Sequence, residues 1–206
     1  SISDTSMAGG YTGSVSAVHE QYDGTSWSEK ADIQTARSTE SRTGAGTQTA
    51  AAIYGSGAVV TTSESWNGSS WTTITGYTTA RRASGGMGIQ TAALNVAGST
   101  APGDNDSDLN EEWNGSSWSE KGDVNTARYS PLGMGTATSA LLTNGYVTSG
   151  GAAYQKIVES YDGTTWTEVG NTNTHHSAGG GSSNASNTSC LVWGGVPPAT
   201  VNAEDW

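Results

Sequence analysis

An eight-residue phrase returns along this chain: EQYDGTSW (20–27), ESWNGSSW (64–71), EEWNGSSW (111–118) and ESYDGTTW (159–166). The opening glutamates fall at Glu20, Glu64, Glu111 and Glu159, and a fifth, Glu204, opens EDW at 204–206. The period is therefore 44 to 48 residues. Self-similarity at this spacing means stacked units, each burying its faces against its neighbours. Seventeen residues after the first four glutamates stand Arg37, Arg81, Arg128 and then His176. The stretches DIQTAR, GYTTAR and GDVNTAR run into the three arginines. Each cation is followed by a segment of small residues: TGAGTQTAAAI (43–53), GGMGIQTAAL (85–94), LGMGTATSALL (132–142) and GGGSSNASNTSCLV (179–192).

Asn-Gly or Asp-Gly between runs rich in Trp, Tyr, Ser and Thr is a hairpin signal, and a type I′ turn with positive φ at both residues is expected. The phrase therefore reads as strand, tight turn, strand. The small-residue segment reads as two more strands in a place where backbones come close. No stretch has a helical period with caps. Four strands per unit at this period predict the blades of a β-propeller, each thin sheet covered by the next. A linear β-solenoid is the alternative. With strands named A to D from the axis outward, the chain reads B-C-D, three full units, then A-B-C. The expected fold is all-β, a single domain over 1–206, with five blades of which the first and last lack a strand. A four-bladed arrangement is the runner-up.

Composition agrees with a fold built on rings and small residues. The chain has 206 residues and a net charge of −11, with only 24 Leu, Ile and Val and no Phe. That combination tilts toward disorder, but eight Trp and eight Tyr supply large buried areas instead. Eight Lys and Arg on an acidic chain argue against a nucleic-acid partner. No apolar run approaches the length of a membrane-spanning helix, so no membrane insertion is expected. One cysteine, Cys190, excludes an internal disulfide and Cys-rich zinc patterns.

The order of Arg, small-residue strand, Gly-Gly, Glu-x-Tyr/Trp, turn and Trp resembles the kelch repeat. It is most similar to the kelch-like WNGSSW…NTAR arrays of marine phages and some bacteria. The resemblance spans essentially the whole chain. It departs at HH (175–176), where other units have AR, and at the doublet eroded to YG (54–55) and AG (97–98). In kelch propellers the arginine before the innermost strand can line the channel mouth. The resemblance therefore makes Arg37, Arg81, Arg128 and His176 candidates for binding an anionic ligand group. The same spacing also suits blade-to-blade salt bridges with Glu20, Glu64, Glu111, Glu159 and Glu204.

Trp27, Trp71, Trp118 and Trp166 recur in register and read as core. Trp193 departs from the repeat and is a candidate binding aromatic. Asp104, Asp106 and Asp108 alternate as the start of a calcium loop would, but the EF-hand glycine and flanking helices are missing. His175 and His176 are adjacent, which points them to opposite faces of a strand. CLVW reads Cys190 as a small buried hydrophobe. No Ser-His-Asp grouping or phosphate loop is visible, and no cofactor is expected. The chain thus reads as a non-enzymatic binding module on a virion or cell surface, recognising a glycan or other surface component. A structural virion or fibre protein that self-associates is the alternative, and a polysaccharide-acting enzyme is a third reading.

Overall fold

The computed structural model describes residues 4–38, 43–100, 105–149, 153–182, 187–195 and 202–205. The described residues form strands and connections, with no helix among them. Five antiparallel sheets are arranged as a five-bladed β-propeller, and each follows the chain in meander order. The first blade is β1 (Thr5–Tyr11), β2 (Val15–Tyr22) and β3 (Trp27–Lys30). The second is β4 (Gly44–Gly46), β5 (Ala51–Tyr54), β6 (Ser63–Trp66) and β7 (Trp71–Ile74). The third is β8 (Gly85–Ile89), β9 (Ala92–Val96), β10 (Asn110–Trp113) and β11 (Trp118–Lys121). The fourth begins with β12 (Leu132–Thr136) and β13 (Ser139–Thr143). A small extra hairpin, β14 (Tyr146–Val147) and β15 (Ala153–Tyr154), follows before β16 (Ile157–Tyr161) and β17 (Trp166–Asn171). The fifth is β18 (Gly180–Gly181), β19 (Leu191–Trp193) and β20 (Ala203–Asp205). The first and last blades have three strands each, in the B-C-D and A-B-C order expected from the repeat. The β14–β15 hairpin was not anticipated.

The turn inside each phrase differs from the type I′ expectation. Trp66 pairs with Trp71, which leaves the four residues 67–70 as the loop. Only the glycine has positive φ, +94° at Gly68, and the equivalent glycines agree closely. The Asn or Asp instead folds its side chain over the turn. Asn67 Oδ1 accepts from the amides of Ser69 at 3.0 Å and Ser70 at 2.9 Å. Asp162 does the same with Thr164 and Thr165, at 2.8 Å each. Local side-chain bonding of this kind replaces a second left-handed residue.

The paired aromatics of strands C and D face the preceding blade. Trp71 donates through Nε1 to His19 Nδ1 of the first blade at 3.1 Å, and Trp118 donates to Thr75 O of the second at 3.0 Å. Each indole also packs against the loop leaving the preceding blade. Ile33 meets Trp66 and Trp71, Tyr77 meets Trp118, and Val124 meets Tyr161 and Trp166. On the axis side the A strands of successive blades run side by side. A Cβ built on Gly86 would lie 2.7 Å from Thr43 Cα, so only glycine permits this approach of β8 to the second blade.

Trp27 is the exception among the four repeated tryptophans. Trp71 and Trp166 are 5% exposed and Trp118 is 9%, but Trp27 is 47% exposed. No blade among the described residues precedes it. Met7, Val18 and Trp27 on the first blade, and Leu191 and Trp193 on the fifth, are all 41–56% exposed.

Candidate functional site

The repeated cations meet the repeated carboxylates across the blade boundaries. Arg37 binds Glu64, Arg81 binds Glu111 and Arg128 binds Glu159, each at 2.6 Å. His176 Nε2 lies 2.9 Å from Glu204 Oε1 in the same place. Every one of these glutamates also receives two backbone amides from the stretch just before its cation. Glu111 accepts from Thr78 N at 2.6 Å and Thr79 N at 3.2 Å. Glu204 accepts from Asn173 N at 2.6 Å and Thr174 N at 2.7 Å. The arginines also donate to carbonyls, as Arg37 does to Gly55 O at 2.6 Å and Arg81 to Asn95 O at 2.6 Å. Arg81, Arg128 and His176 are fully buried and Arg37 nearly so. The three arginines and His176 therefore sit inside the blade contacts, with their ring and guanidinium nitrogens directed at neighbouring blades. Burial pushes the Glu204 carboxyl up, but the bonds from His176, Asn173 and Thr174 outweigh it and hold it below the ordinary carboxylate range.

Glu20 stands in the same register as these glutamates. Its carboxylate is half-buried, and no cation pairs with it among the described residues.

Trp193 is 46% exposed on β19, and its indole lies against Gly180 of β18. Cys190 is buried, and desolvation raises its thiol pKa. Of the calcium candidates, Asp104 lies outside the described residues. Asp106 Oδ2 accepts from Thr148 N at 2.6 Å and Thr148 Oγ1 at 2.9 Å, tying the third blade to the β14–β15 hairpin. Asp108 is exposed, and its carbonyl accepts from Val124 N. No cluster of metal-ligating side chains occurs among the described residues.

Sequence reading missed an aromatic group beside this contact. Tyr129 and Tyr146 meet edge to face with centroids 5.4 Å apart, and their backbones bridge reciprocally. Tyr146 meets Tyr154 at 4.6 Å, and Tyr154 faces His175 at 6.1 Å. All four are half-buried. Asp106 Oδ1 and His175 Nδ1 are buried polar atoms without a partner. The three tyrosines lie in the loop after Arg128 and in the β14–β15 hairpin, where no unit repeats them. That departure from the repeat was the available signal.

A concavity of about 690 Å³ lies between the first and second blades. It is lined by β1, the edge strand of the first sheet, by residues 43–48, and by His19, Trp66 and Trp71, and Gln48 Nε2 donates across it to Thr5 O at 3.0 Å.

No protein-family model matches the chain, and no curated protein matches it. The kelch-like phage arrays therefore remain a resemblance carried by the repeat alone. Among solved structures 117 chains match. The structure of YjhT aligns with a TM-score of 0.81 over 98% of this chain and 78% of YjhT, at 11% identity. At that identity the likeness establishes the repeat β-propeller fold and nothing finer. It also corrects the expectation that the chain is not an enzyme. A scaffold shared with YjhT carries no such exclusion, and that expectation is withdrawn.

Proposed function

We propose that this chain is a recognition module whose site is the tyrosine group at the fourth blade. Its ligand would be a saccharide or a comparable component of a cell or virion surface. The observation that carries this reading is the cluster of Tyr129, Tyr146, Tyr154 and His175 beside the orphaned Asp106 oxygen. Half-buried aromatic faces offer an apolar platform for the C–H face of a sugar. The tyrosine hydroxyls would supply the polar contacts that fix its orientation. The setting on a virion or cell surface comes from the repeat resemblance.

A glycan array probed with the purified chain should show saturable binding to a defined group of sugars. Tyr146→Ala, and separately Tyr154→Ala, should each weaken that binding at least tenfold while the circular dichroism spectrum stays unchanged. Binding that survives both substitutions, or no binding to any sugar, overturns the reading.

The second reading, a structural subunit that associates with copies of itself or other surface proteins, has its own support. The first and fifth sheets have three strands and expose Met7, Trp27, Leu191 and Trp193. Light scattering that finds a defined oligomer, with no sugar bound, would favour it.

A further inference from the structure

Each complete blade is covered, on the side toward the preceding blade, by the chain that leads into its own strand A, and the fourth blade shows how. Val124 packs on Tyr161 and Trp166. Asn125 N and Thr126 N donate to Glu159 at 2.7 and 3.4 Å, and Asn125 Nδ2 donates to Trp166 O at 2.9 Å. Arg128 closes on Glu159 at 2.6 Å. The chain then runs into β12, which pairs along β13 with Gly133 opposite Leu142. Residues 33–38 and 43–46 do the same for the second blade, with Gln34 N and Arg37 on Glu64 and Gln34 Nε2 on Trp71 O at 2.9 Å.

The first blade has every acceptor for such a stretch and lacks the stretch among the described residues. Trp27 pairs with Tyr22 as Trp166 pairs with Tyr161, but it is 47% exposed. Glu20 lies opposite Met7 as Glu159 lies opposite Leu142, and it has no cation. The β1 edge that would receive strand A lines the 690 Å³ cleft beside β4, with Thr5 O held by Gln48 Nε2 and Gly10 N by Arg37 O at its two ends. In the complete blades A strands pack against one another, β4 on β8 and β8 on β12, so the cleft lies in line with that inner row.

We propose that the first blade is a docking surface for one loop-and-strand segment of the repeat's own Val-Asn-Thr-Ala-Arg type. Its apolar residue would cover Trp27, its two amides and arginine would engage Glu20, and its strand would add to β1. Strand addition of this kind draws affinity from main-chain hydrogen bonds and specificity from the side chains. Charge complementarity picks this occupant over a second copy's fifth blade, because residues 177–206 contain no Lys or Arg.

The probe is a fluorophore-labelled peptide with the sequence of residues 122–136, GDVNTARYSPLGMGT. Titrated with the whole chain, it should give a saturable 1:1 rise in anisotropy and a blue shift of tryptophan emission. Replacing the peptide's arginine, Arg128→Gln, should weaken binding roughly thirtyfold, as loss of one member of a buried pair implies. Glu20→Gln in the chain should do the same, and Tyr146→Ala should leave peptide binding unchanged, which separates this test from the saccharide reading. No binding at millimolar peptide, or binding indifferent to both charge substitutions, overturns the proposal. So does a chain that light scattering shows to be a dimer with Trp27 already shielded, because the occupant would then be a second copy.

Discussion

Glu111 and Glu20 occupy one sequence position in two physical settings. Glu111 is 2% exposed and holds Arg81 together with two amides. Glu111→Gln leaves a buried guanidinium without its counter-charge, and should cost about 3–5 kcal/mol in urea unfolding. Glu20→Gln removes a half-buried carboxylate with no cation and should change stability by less than about 0.5 kcal/mol. His19 gives a residue-scale pH prediction. Its Nδ1 accepts from Trp71, so its proton sits on Nε2. Burial lowers its pKa from 6.5, with the Ala31 carbonyl only partly opposing it. The unfolded chain takes up a proton near that ordinary value and the folded chain resists, so stability falls as pH drops below about 6.5. The urea midpoint should therefore decline between pH 7.5 and 5.0, and His19→Gln should flatten that decline.

At the scale of the element, the phrase was legible because its physics is local. Glu-x-aromatic, Asn/Asp-Gly and Trp gave two strands and a turn in four places. The type of turn was not legible, since Asn-Gly serves both a two-residue type I′ turn and the observed four-residue loop. The choice falls to the amides of Ser69 and Ser70 reaching Asn67 Oδ1. The loops after Arg81, Arg128 and His176 hold another feature that residue types concealed. Ala83, Ser130 and Ala178 sit two residues past Arg81, Arg128 and His176 with φ of +49°, +53° and +57°. A left-handed backbone costs an L-residue about 1–2 kcal/mol. Ala178 is only half-buried, so Ala178→Gly loses little packing. It should raise stability by about 0.5–1 kcal/mol, read as an upward shift of the thermal midpoint.

For the whole molecule, blade number and strand order followed from counting phrases. The matched Arg and Glu spacing also pointed to contacts between units. Two things did not follow from the repeat. The tyrosine group forms only because the fourth blade's extra hairpin folds back toward the loop after Arg128, and nothing in Tyr129 or Tyr154 alone announces that. The exposure of Trp27 depends on which blade stands beside it, which residue type cannot report.

The cross-blade ion pairs all point one way. In each of the four pairs the basic side chain lies in the linker and the carboxylate on the blade that follows it in sequence. The two end blades are thus chemically unlike: the first presents Glu20 without a cation among the described residues, and the fifth carries no Lys or Arg after His176. Two molecules joined end to end would have to meet first blade to fifth, with no ion pair at the seam. Such a join is heterologous and repeats itself unless the rotation it imposes happens to close.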